Sequence, residues 1–305
     1  ELARQLTPND NYRDAADALQ RTADINSLCA RYGTPGLGGI RDCTGALQRA
    51  KLGARLSAGE ILQVAQVLRT VRSIKKWRGQ GETPTAADDL FHLLAPVEGL
   101  EKDIFDAILS EEELADSASP ALADLRRRIR RAQLKVREQL DGIIRSPQYA
   151  KALQEPIVTM RDGRFVVPVK IECKNEVKGL VHDTSSSGAT VFIEPMAVVD
   201  ANNEIRLLQN EEQLEIDRIL QEFSERIGQV ADATRTSFEA LLQLDLLFAK
   251  SRLADKMKAT MPELNEDGII EFRKARHPLI QKDKVVPVDI RLGDVFDTLV
   301  ITGPN

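Results

Sequence analysis

Residues 122–145 read LADLRRRIRRAQLKVREQLDGIIR, and the spacing of their apolar side chains decides which fold the chain is expected to adopt. Every third or fourth residue is apolar, which places these side chains along one narrow face of an α-helix. A second stripe of the same kind begins at Ile205 and ends at Val230. At about 1.5 Å per residue each helix extends roughly 35 to 40 Å. Narrow apolar faces on long helices favour pairing with another helix, so the sequence predicts a two-helix stalk.

The two predicted helices carry opposite charge, which supports their pairing with each other. Residues 122–145 contain eight Arg or Lys against three Asp or Glu, while residues 203–226 contain three against seven. Opposite charges on antiparallel helices can interleave favourably. The arginine run within residues 126–131 therefore has two interpretations: a solvated or paired helix face, or a surface that contacts nucleic-acid phosphates. The sequence leaves both open.

A segment with strand character lies between the two predicted helices. From Phe165 to Cys173 apolar residues occupy every second position, and charged residues of alternating sign fill the other positions from Lys170 to Lys178. Such alternation predicts an amphipathic strand with one buried face. Pro168 has no N–H to donate, which favours an edge strand or a bulge there. With further apolar runs at 180–182 and 190–193, a small β head is expected at the tip of the stalk.

Helical patterns dominate on both sides of this insertion. Ser57 and Glu60 form a capping-box pattern before a long apolar helical stretch. After Val230 an apolar helical stretch continues to Leu253. Beyond Pro262 the period changes, and short strands are predicted at residues 269–272, 285–290 and 299–302, as at the opening of an α/β domain.

The last predicted strand leads to Gly303, Pro304 and Asn305, which match the first part of a phosphate-binding loop. A complete loop has the spacing GxxxxGK[ST], with a Lys for the outer phosphates and a hydroxyl for magnesium. Neither residue lies within this sequence. The chain is therefore expected to be the front part of a longer ATPase, inactive by itself and binding no cofactor alone.

Composition narrows the function classes further. The 305 residues carry a net charge of -5 and are only 4% aromatic, which disfavours a uniformly basic nucleic-acid binder and an extended base-stacking surface. The three cysteines lie far apart and form no CxxC pair, which suits a reducing, cytoplasmic setting. No apolar run is long enough to span a membrane, so no membrane partner is expected. The three histidines are too scattered to predict a metal site.

Residues 181–190 read VHDTSSSGAT, a run of hydroxyls beside a glycine. Ser, His and Asp within one segment suggest a hydrolase, but the GxSxG nucleophile motif is missing and neighbours in sequence do not make a triad. The other interpretation is a turn between strands, whose hydroxyls bond the backbone or face a phosphate-bearing partner. This interpretation is favoured.

Four ordered segments together resemble one family. They are DGRFVVPVK at 162–170, GLVHDTSSSGATVFIEP at 179–195, ARHPL at 275–279 and VITGPN at 300–305. The series resembles the MutS superfamily, and the hydroxyl-rich segment is specific to its second-type bacterial branch, MutS-two. Val288 stands where the family usually has Asn, which puts one polar contact near the nucleotide base in doubt. The resemblance covers essentially the whole chain.

The resemblance implies a mainly α fold with a small β clamp inserted between two long antiparallel lever helices, followed by the first strands of an α/β ABC-type ATPase domain. The expected parts are a helical core at 1–120, an outgoing lever helix at 121–155, the β clamp at 156–196, a returning lever helix at 197–232, the second part of the core at 233–265 and the start of the ATPase domain at 266–305.

The resemblance also implies what the parent protein does. It would be a cytoplasmic homodimer with composite sites for ATP and magnesium, binding collided or stalled ribosomes through their rRNA and splitting them with ATP. The alternative is binding of branched DNA to suppress homologous recombination. The small Smr nuclease domain typical of this branch is not in the sequence. No catalytic residue is expected within the 305 residues of this chain.

The expected site residues form two groups. Gly303, Pro304 and Asn305 match the start of the family's ATP-binding loop. The candidates for contact with nucleic acid or the ribosome are Arg126, Arg127, Arg130, Arg131, Arg161, Arg164, Lys174, Lys178, Ser185, Ser186 and Ser187.

Overall fold

A computed structural model describes residues 2–97, 99–281 and 283–302 of the chain. Within these residues the chain divides into two compact units. The first unit is built from residues 1–41, 66–97 and 232–305, and the second from residues 42–65 and 98–231. Among the described residues, no helix combines the length and the apolar character needed to cross a membrane.

The described part of the chain is mainly helical, with two small antiparallel sheets. The helices are α1 (Tyr12–Tyr32), α2 (Thr44–Lys51), α3 (Ala58–Arg78), α4 (Asp88–His92), α5 (Leu100–Ala107), α6 (Pro120–Ile144), α7 (Met196–Gln229) and α8 (Ala231–Met257). The strands are β1 (Thr159–Arg161), β2 (Arg164–Lys170), β3 (Gly179–Thr184), β4 (Thr190–Pro195), β5 (Ile270–Ala275) and β6 (Val288–Leu292). Short 3-10 helices lie at Leu2–Gln5, Asp116–Ala118 and Ile171–Cys173.

Aromatic packing holds the helical part of the first unit. The ring of Trp77 lies 6.2 Å from that of Phe91 and 5.5 Å from that of Phe248, measured between centroids. The indole N–H of Trp77 donates to the carbonyl oxygen of Gly33 over 2.9 Å, so the buried ring leaves no unpaired donor. Arg21 in α1 binds Asp89 in α4 through two nitrogens, at 2.9 and 3.0 Å.

The first unit also contains the two-stranded sheet of β5 and β6, which pair antiparallel. The prediction of a strand at residues 299–302 is wrong, because these residues have no regular structure and the side chains of Val300 and Ile301 are exposed. The described residues offer this segment no neighbouring strand, and a strand needs a partner to satisfy its backbone groups. Of the three strands predicted beyond Pro262, the described residues thus contain two, which form one antiparallel pair.

The second unit is organised by α6 and α7, which pack against each other in antiparallel fashion. Leu125, Ile129 and Leu208 form one buried cluster between them. The prediction of a helix over residues 122–145 is confirmed, with Ser119 as the cap that accepts a hydrogen bond from the Leu122 N–H over 3.0 Å. The outgoing segment predicted to residue 155 includes turns, since α6 ends at Ile144.

The returning helix α7 starts earlier than its apolar stripe indicates. It begins at Met196, immediately after Pro195 at the end of β4. Its first turns carry a polar run at residues 200–204 that conceals the stripe in sequence, yet Val198, Asn202 and Ile205 are all buried against the sheet side. Residues at these spacings share one helix face, so the polar Asn202 occupies a position in the apolar stripe.

The four-stranded sheet of the second unit has the order β1-β2-β4-β3, with every neighbouring pair antiparallel. Its apolar face joins the helix pair in one cluster of buried side chains, which includes Val136, Leu140, Phe165, Val167, Val169, Val191, Ile193, Val198 and Ile205. A small antiparallel sheet between two long helices in sequence agrees with the expected fold class at this level.

Two details of the predicted strand are corrected by the structure. The strand β2 ends at Lys170, and the chain turns into a 3-10 helix because its partner β4 starts opposite, at Thr190. Pro168 lies in an interior strand rather than at an edge. It is accommodated because β1 pairs only with residues 164–166 of β2, so that beside Pro168 the missing N–H faces no continuous strand but only the isolated bridge between Leu153 and Val169. The Pro168 carbonyl oxygen accepts there from the Gln154 N–H over 2.9 Å.

The capping box before α3 is confirmed. The Glu60 N–H donates to the Ser57 hydroxyl oxygen over 3.3 Å, and the Glu60 carboxylate accepts from the Ser57 N–H over 3.0 Å. These bonds with the helix's own first turn hold the pKa of Glu60 below its ordinary value, the backbone N–H of Ser57 being the largest cause.

Candidate nucleic-acid interface

The arginine run of α6 divides into one internal residue and several external ones. Arg126 points toward α7, where its Nε donates to Glu212 over 2.7 Å. A second nitrogen of Arg126 binds Asp116 and the carbonyl oxygen of Leu114, both at 2.7 Å. Its side chain is only 19% exposed. The hydrogen bond from Arg126 holds the pKa of Asp116 below its ordinary value. Arg126 therefore supports the fold at the base of the helix pair.

The other arginines of the run lie on the outside of α6. Arg127 pairs with Asp124 on its own helix, and Arg130 reaches Asp116 over 3.4 Å. Arg128 faces Glu211 of α7 over a long 3.9 Å. The side chain of Arg131 is exposed and makes no hydrogen bond or ion pair among the residues that the structure describes. Surface pairs of this kind contribute about 0–1 kcal/mol, so these guanidinium groups can exchange their partners at little cost.

The predicted pairing of opposite charges between the helices occurs at the Arg126–Glu212 and Arg128–Glu211 contacts. Other carboxylates of α7 pair with arginines outside α6. Arg218 of α7 itself binds Glu215 over 2.9 Å and Glu222 over 3.1 Å. The pairing between the helices thus leaves most of the positive charge of α6 facing outward.

Glu215 of α7 is held by hydrogen bonds at the base of the helix pair. It accepts from Arg218 at 2.9 Å and from the hydroxyl of Ser119, the α6 cap, at 2.7 Å. These hydrogen bonds, with that from Arg218 the largest, lower the pKa of Glu215 to about 2. Ser119 thereby joins the first turn of α6 to the middle of α7.

The two arginine candidates of the sheet are engaged within it. The Arg161 guanidinium lies 4.0 Å from the ring centroid of Phe192 and its Nε lies 3.1 Å from Asp183. Arg164 binds both oxygens of Glu194, at 2.8 and 2.9 Å. The lysine candidates differ, because the side chains of Lys174 and Lys178 are exposed and make no hydrogen bond or ion pair among the described residues.

Sequence reasoning missed the residue that these contacts surround. The carboxylate of Glu194 is fully buried and is bound by Arg164, His182 and Asn202. The signal in the sequence was a single acid inside the apolar run TVFIEP, with a basic residue in each of two neighbouring strands. His182 Nε2 lies 2.5 Å from Glu194, so the contact it makes is with a carboxylate and not with a serine.

The hydroxyl-rich run forms the turn between β3 and β4, as the favoured interpretation expected. The Ser185 N–H donates to the Thr190 carbonyl oxygen over 2.8 Å, and the Ser185 hydroxyl accepts from the Thr190 N–H over 3.1 Å. Gly188 has a φ of 72°, a left-handed conformation that glycine adopts without strain. Ser186 and Ser187 are exposed at the tip of this turn.

The remaining candidates lie outside the described residues. Gly303, Pro304 and Asn305, the expected start of the ATP-binding loop, belong to this group. Among the residues that the structure does describe, no cluster of three His, Cys, Asp or Glu side chains could hold a metal ion.

Two long antiparallel helices with an outward basic face, and a small antiparallel sheet between them in sequence, define the class of this protein: a mainly helical one with an inserted β element. No protein-family model matches the chain. Curated relatives do match along all of it. Endonuclease MutS2 of Acetivibrio thermocellus is 45% identical over 309 residues, which covers 100% of this chain and 39% of that protein.

Other relatives agree with this match. Endonuclease MutS2 of Ruminiclostridium cellulolyticum is 44% identical over 308 residues, covering 100% of this chain and 39% of the relative. Endonuclease MutS2 of Pelotomaculum thermopropionicum is 46% identical over 301 residues, covering 98% of this chain and 38% of the relative. The chain belongs to the MutS2 family and spans about two fifths of the length of these relatives.

Proposed function

We propose that the α6/α7 pair and its four-stranded sheet are the lever and clamp of an ATP-driven MutS2 protein, and that they hold a collided or stalled ribosome through its rRNA. The observation that carries the proposal is the outward face formed by Arg127, Arg128, Arg130 and Arg131. A row of guanidinium groups along a helix suits the phosphates of a nucleic-acid backbone. We call these four residues the α6 arginine face.

Charge distribution supports a local contact with a structured target. The chain carries a net charge of -5 overall, whereas the α6 arginine face and nearby Lys135 and Arg137 place six basic residues within residues 127–137. A narrow basic stripe provides few phosphate contacts, which gives a weak grip on arbitrary DNA. A ribosome presents shaped rRNA to which a long helix pair can fit along its length.

The alternative is branched DNA, with suppression of homologous recombination as the role. The name of the relatives, Endonuclease MutS2, is compatible with this candidate, because an endonuclease acts on nucleic acid. The same arginine face would then contact the phosphates of a DNA junction. The ribosome and branched DNA are thus different targets, but in both cases arginine side chains would contact backbone phosphates.

The rest of the proposal concerns the parent protein. It would bind ATP and magnesium in a loop that starts at Gly303, act as a homodimer in the cytoplasm, and use ATP to move the lever. This chain alone would be inactive as an ATPase. Support comes from the family, whose named members are more than twice as long as this chain.

The test compares two triple variants, each of which removes three positive charges from a different part of the chain. R127Q/R128Q/R131Q removes most of the α6 arginine face, whereas R13Q/R252Q/K256Q removes exposed basic residues of α1 and α8. Binding to single ribosomes, collided ribosomes and a four-way DNA junction is measured at several salt concentrations. Removing one arginine–phosphate interaction should lower the slope of log affinity against log salt by about one, so we expect a drop of roughly three for the α6 variant only.

The outcomes separate the candidates. Selective binding to collided ribosomes that the α6 variant abolishes supports the proposal. Preference for the junction, abolished by the same variant, supports the DNA alternative. Equal effects of both triple variants, or binding that is insensitive to salt, would exclude the α6 arginine face as the binding surface.

A further inference from the structure

A buried carboxylate stands at the corner where β4 ends and α7 begins. Glu194 is fully buried, Pro195 follows it, and Met196 is the first residue of the helix. A buried carboxylate strongly destabilises a fold unless donors surround it. The donors around Glu194 come from three other elements, which is what makes this corner unusual.

The contacts of Glu194 connect the sheet to α7. Arg164 of β2 donates to both carboxylate oxygens, at 2.8 and 2.9 Å. His182 of β3 places Nε2 2.5 Å from one oxygen. Asn202 of α7 donates its amide to the other oxygen over 2.7 Å. One side chain of β4 thus holds β2, β3 and α7 together.

A β-bulge positions the histidine. Val181 pairs with Ile193 and Asp183 pairs with Phe192, which leaves His182 as the extra residue of β3. A bulge turns a side chain away from the regular alternation of the strand. The irregularity in β3 therefore accompanies the placement of His182 against Glu194.

Further bonds connect β2 and α7 around the same point. Asn202 accepts from the Phe165 N–H over 3.3 Å and donates to the Phe165 carbonyl oxygen over 3.1 Å. A second nitrogen of Arg164 donates to the side chain of Asn203 over 2.7 Å. We call Glu194, Arg164, His182, Asn202 and Asn203 together the Glu194 junction.

Directional bonds constrain the corner in a way that apolar packing does not. The side chains of Val198 and Ile205 pack against the sheet, but apolar contact is non-directional and tolerates small rotations. Charge-assisted hydrogen bonds that converge on one carboxylate from three elements hold a defined geometry. We propose that the Glu194 junction is a rigid joint that sets the angle between the sheet and α7, so that any rotation of α7 carries the sheet with it. This property is independent of what the α6 arginine face binds.

The test measures the angle at the joint. Spin labels are attached at S186C, in the turn between β3 and β4, and at L214C on the exposed side of α7, in a chain whose own cysteines are removed by C29S, C43A and C173S. Pulsed electron paramagnetic resonance then gives the distribution of distances between the labels. Glu194→Gln keeps the shape of the side chain and removes its charge. We expect a broader distribution, because the amide cannot accept from Arg164 on both sides.

Asp183→Asn is the matched control. Asp183 is also a carboxylate of this sheet paired with an arginine, Arg161 at 3.1 Å, but that pair does not involve α7. The control should leave the distribution unchanged. An unchanged width for Glu194→Gln, or equal broadening by both variants, would overturn the proposal.

A milder variant covers the case in which Glu194→Gln does not fold, as judged by circular dichroism. Asn203→Ala removes only the exposed link between Arg164 and α7. A modestly broader distance distribution for Asn203→Ala supports the joint. An unchanged width of that distribution contradicts it. R127Q/R128Q/R131Q should leave the distribution unchanged while it reduces ribosome binding, so failure of the proposed function and failure of the joint are seen in separate measurements.

Discussion

In the second unit, α7 approaches α2 closely at Gly228, and a substitution there can test this contact. A Cβ atom at this position would lie 2.6 Å from the carbonyl oxygen of Ala50 in α2 and 3.0 Å from the carbonyl carbon. Both are backbone atoms, which cannot rotate away as the end of a side chain can. Gly228→Ala therefore requires the two helices to move apart by about 0.8 Å to reach an ordinary contact, and overpacking of this kind costs about 1–3 kcal/mol.

Gly142→Ala is the matched control for this substitution. Gly142 also lies near the C-terminus of a long helix, α6, and a Cβ there would meet nothing within 4 Å. Replacing a helical glycine by alanine stabilises by up to about 1 kcal/mol. Because both glycines are helical, this gain applies to both variants, and the Gly228 variant should be less stable than the Gly142 variant by the overpacking cost, roughly 1–3 kcal/mol.

The assay is urea unfolding followed by circular dichroism, with the midpoints of the two variants compared with that of the unchanged chain. We expect the Gly142 variant at or above the original midpoint and the Gly228 variant below it. If both variants raise the midpoint equally, α2 does not approach α7 at Gly228 as closely as described.

Three further predictions concern single groups. Glu215, with a pKa lowered from 4.5 to about 2, should contribute stability that is complete above about pH 4.5 and is lost as the pH falls toward 2; E215Q should flatten this part of a plot of urea midpoint against pH. S57A should cost about 1 kcal/mol in urea unfolding, because it removes the acceptor for the Glu60 N–H, and an unchanged midpoint would contradict the capping box. Cys43 is buried, which raises the pKa of its thiol to about 11, whereas Cys173 is partly accessible, although desolvation raises the pKa of its thiol too; an alkylating reagent at pH 8 should therefore modify Cys173 well before Cys43, as mass spectrometry of the peptides would show.

Local sequence patterns predicted much of the second unit. The apolar spacing of residues 122–145 depends only on the helical repeat, so the existence of α6 and its pairing with another helix followed from it. The capping box at Ser57 and Glu60 was equally local. By contrast, the apolar stripe alone places the start of α7 too late, at Ile205, because the buried Asn202 continues the stripe with a polar side chain that only its partners in the sheet explain. The family resemblance placed this start at residue 197, next to the observed start at Met196.

The sequence pattern did not show which arginine side chains of α6 are available to a partner. Arg126 and Arg131 are the same residue type on one helix, five positions apart in sequence. The first is held by Glu212 and Asp116, and the second is exposed without a partner among the described residues. Their helical phase suggests different faces, but the carboxylates that decide which of them is available come from other segments of the chain.

The sequence by itself determined the helix pair, the strand-rich insertion between its members and the membership in the MutS2 family, since these depend on residue spacing and on identity to relatives. Only the tertiary structure decided where β2 stops, which strand contains the bulge and which donors surround Glu194. The physical reason is that strand pairing and buried charge are settled by partners distant in the chain: Glu194 meets Arg164 from 30 residues away, and no local pattern encodes that contact.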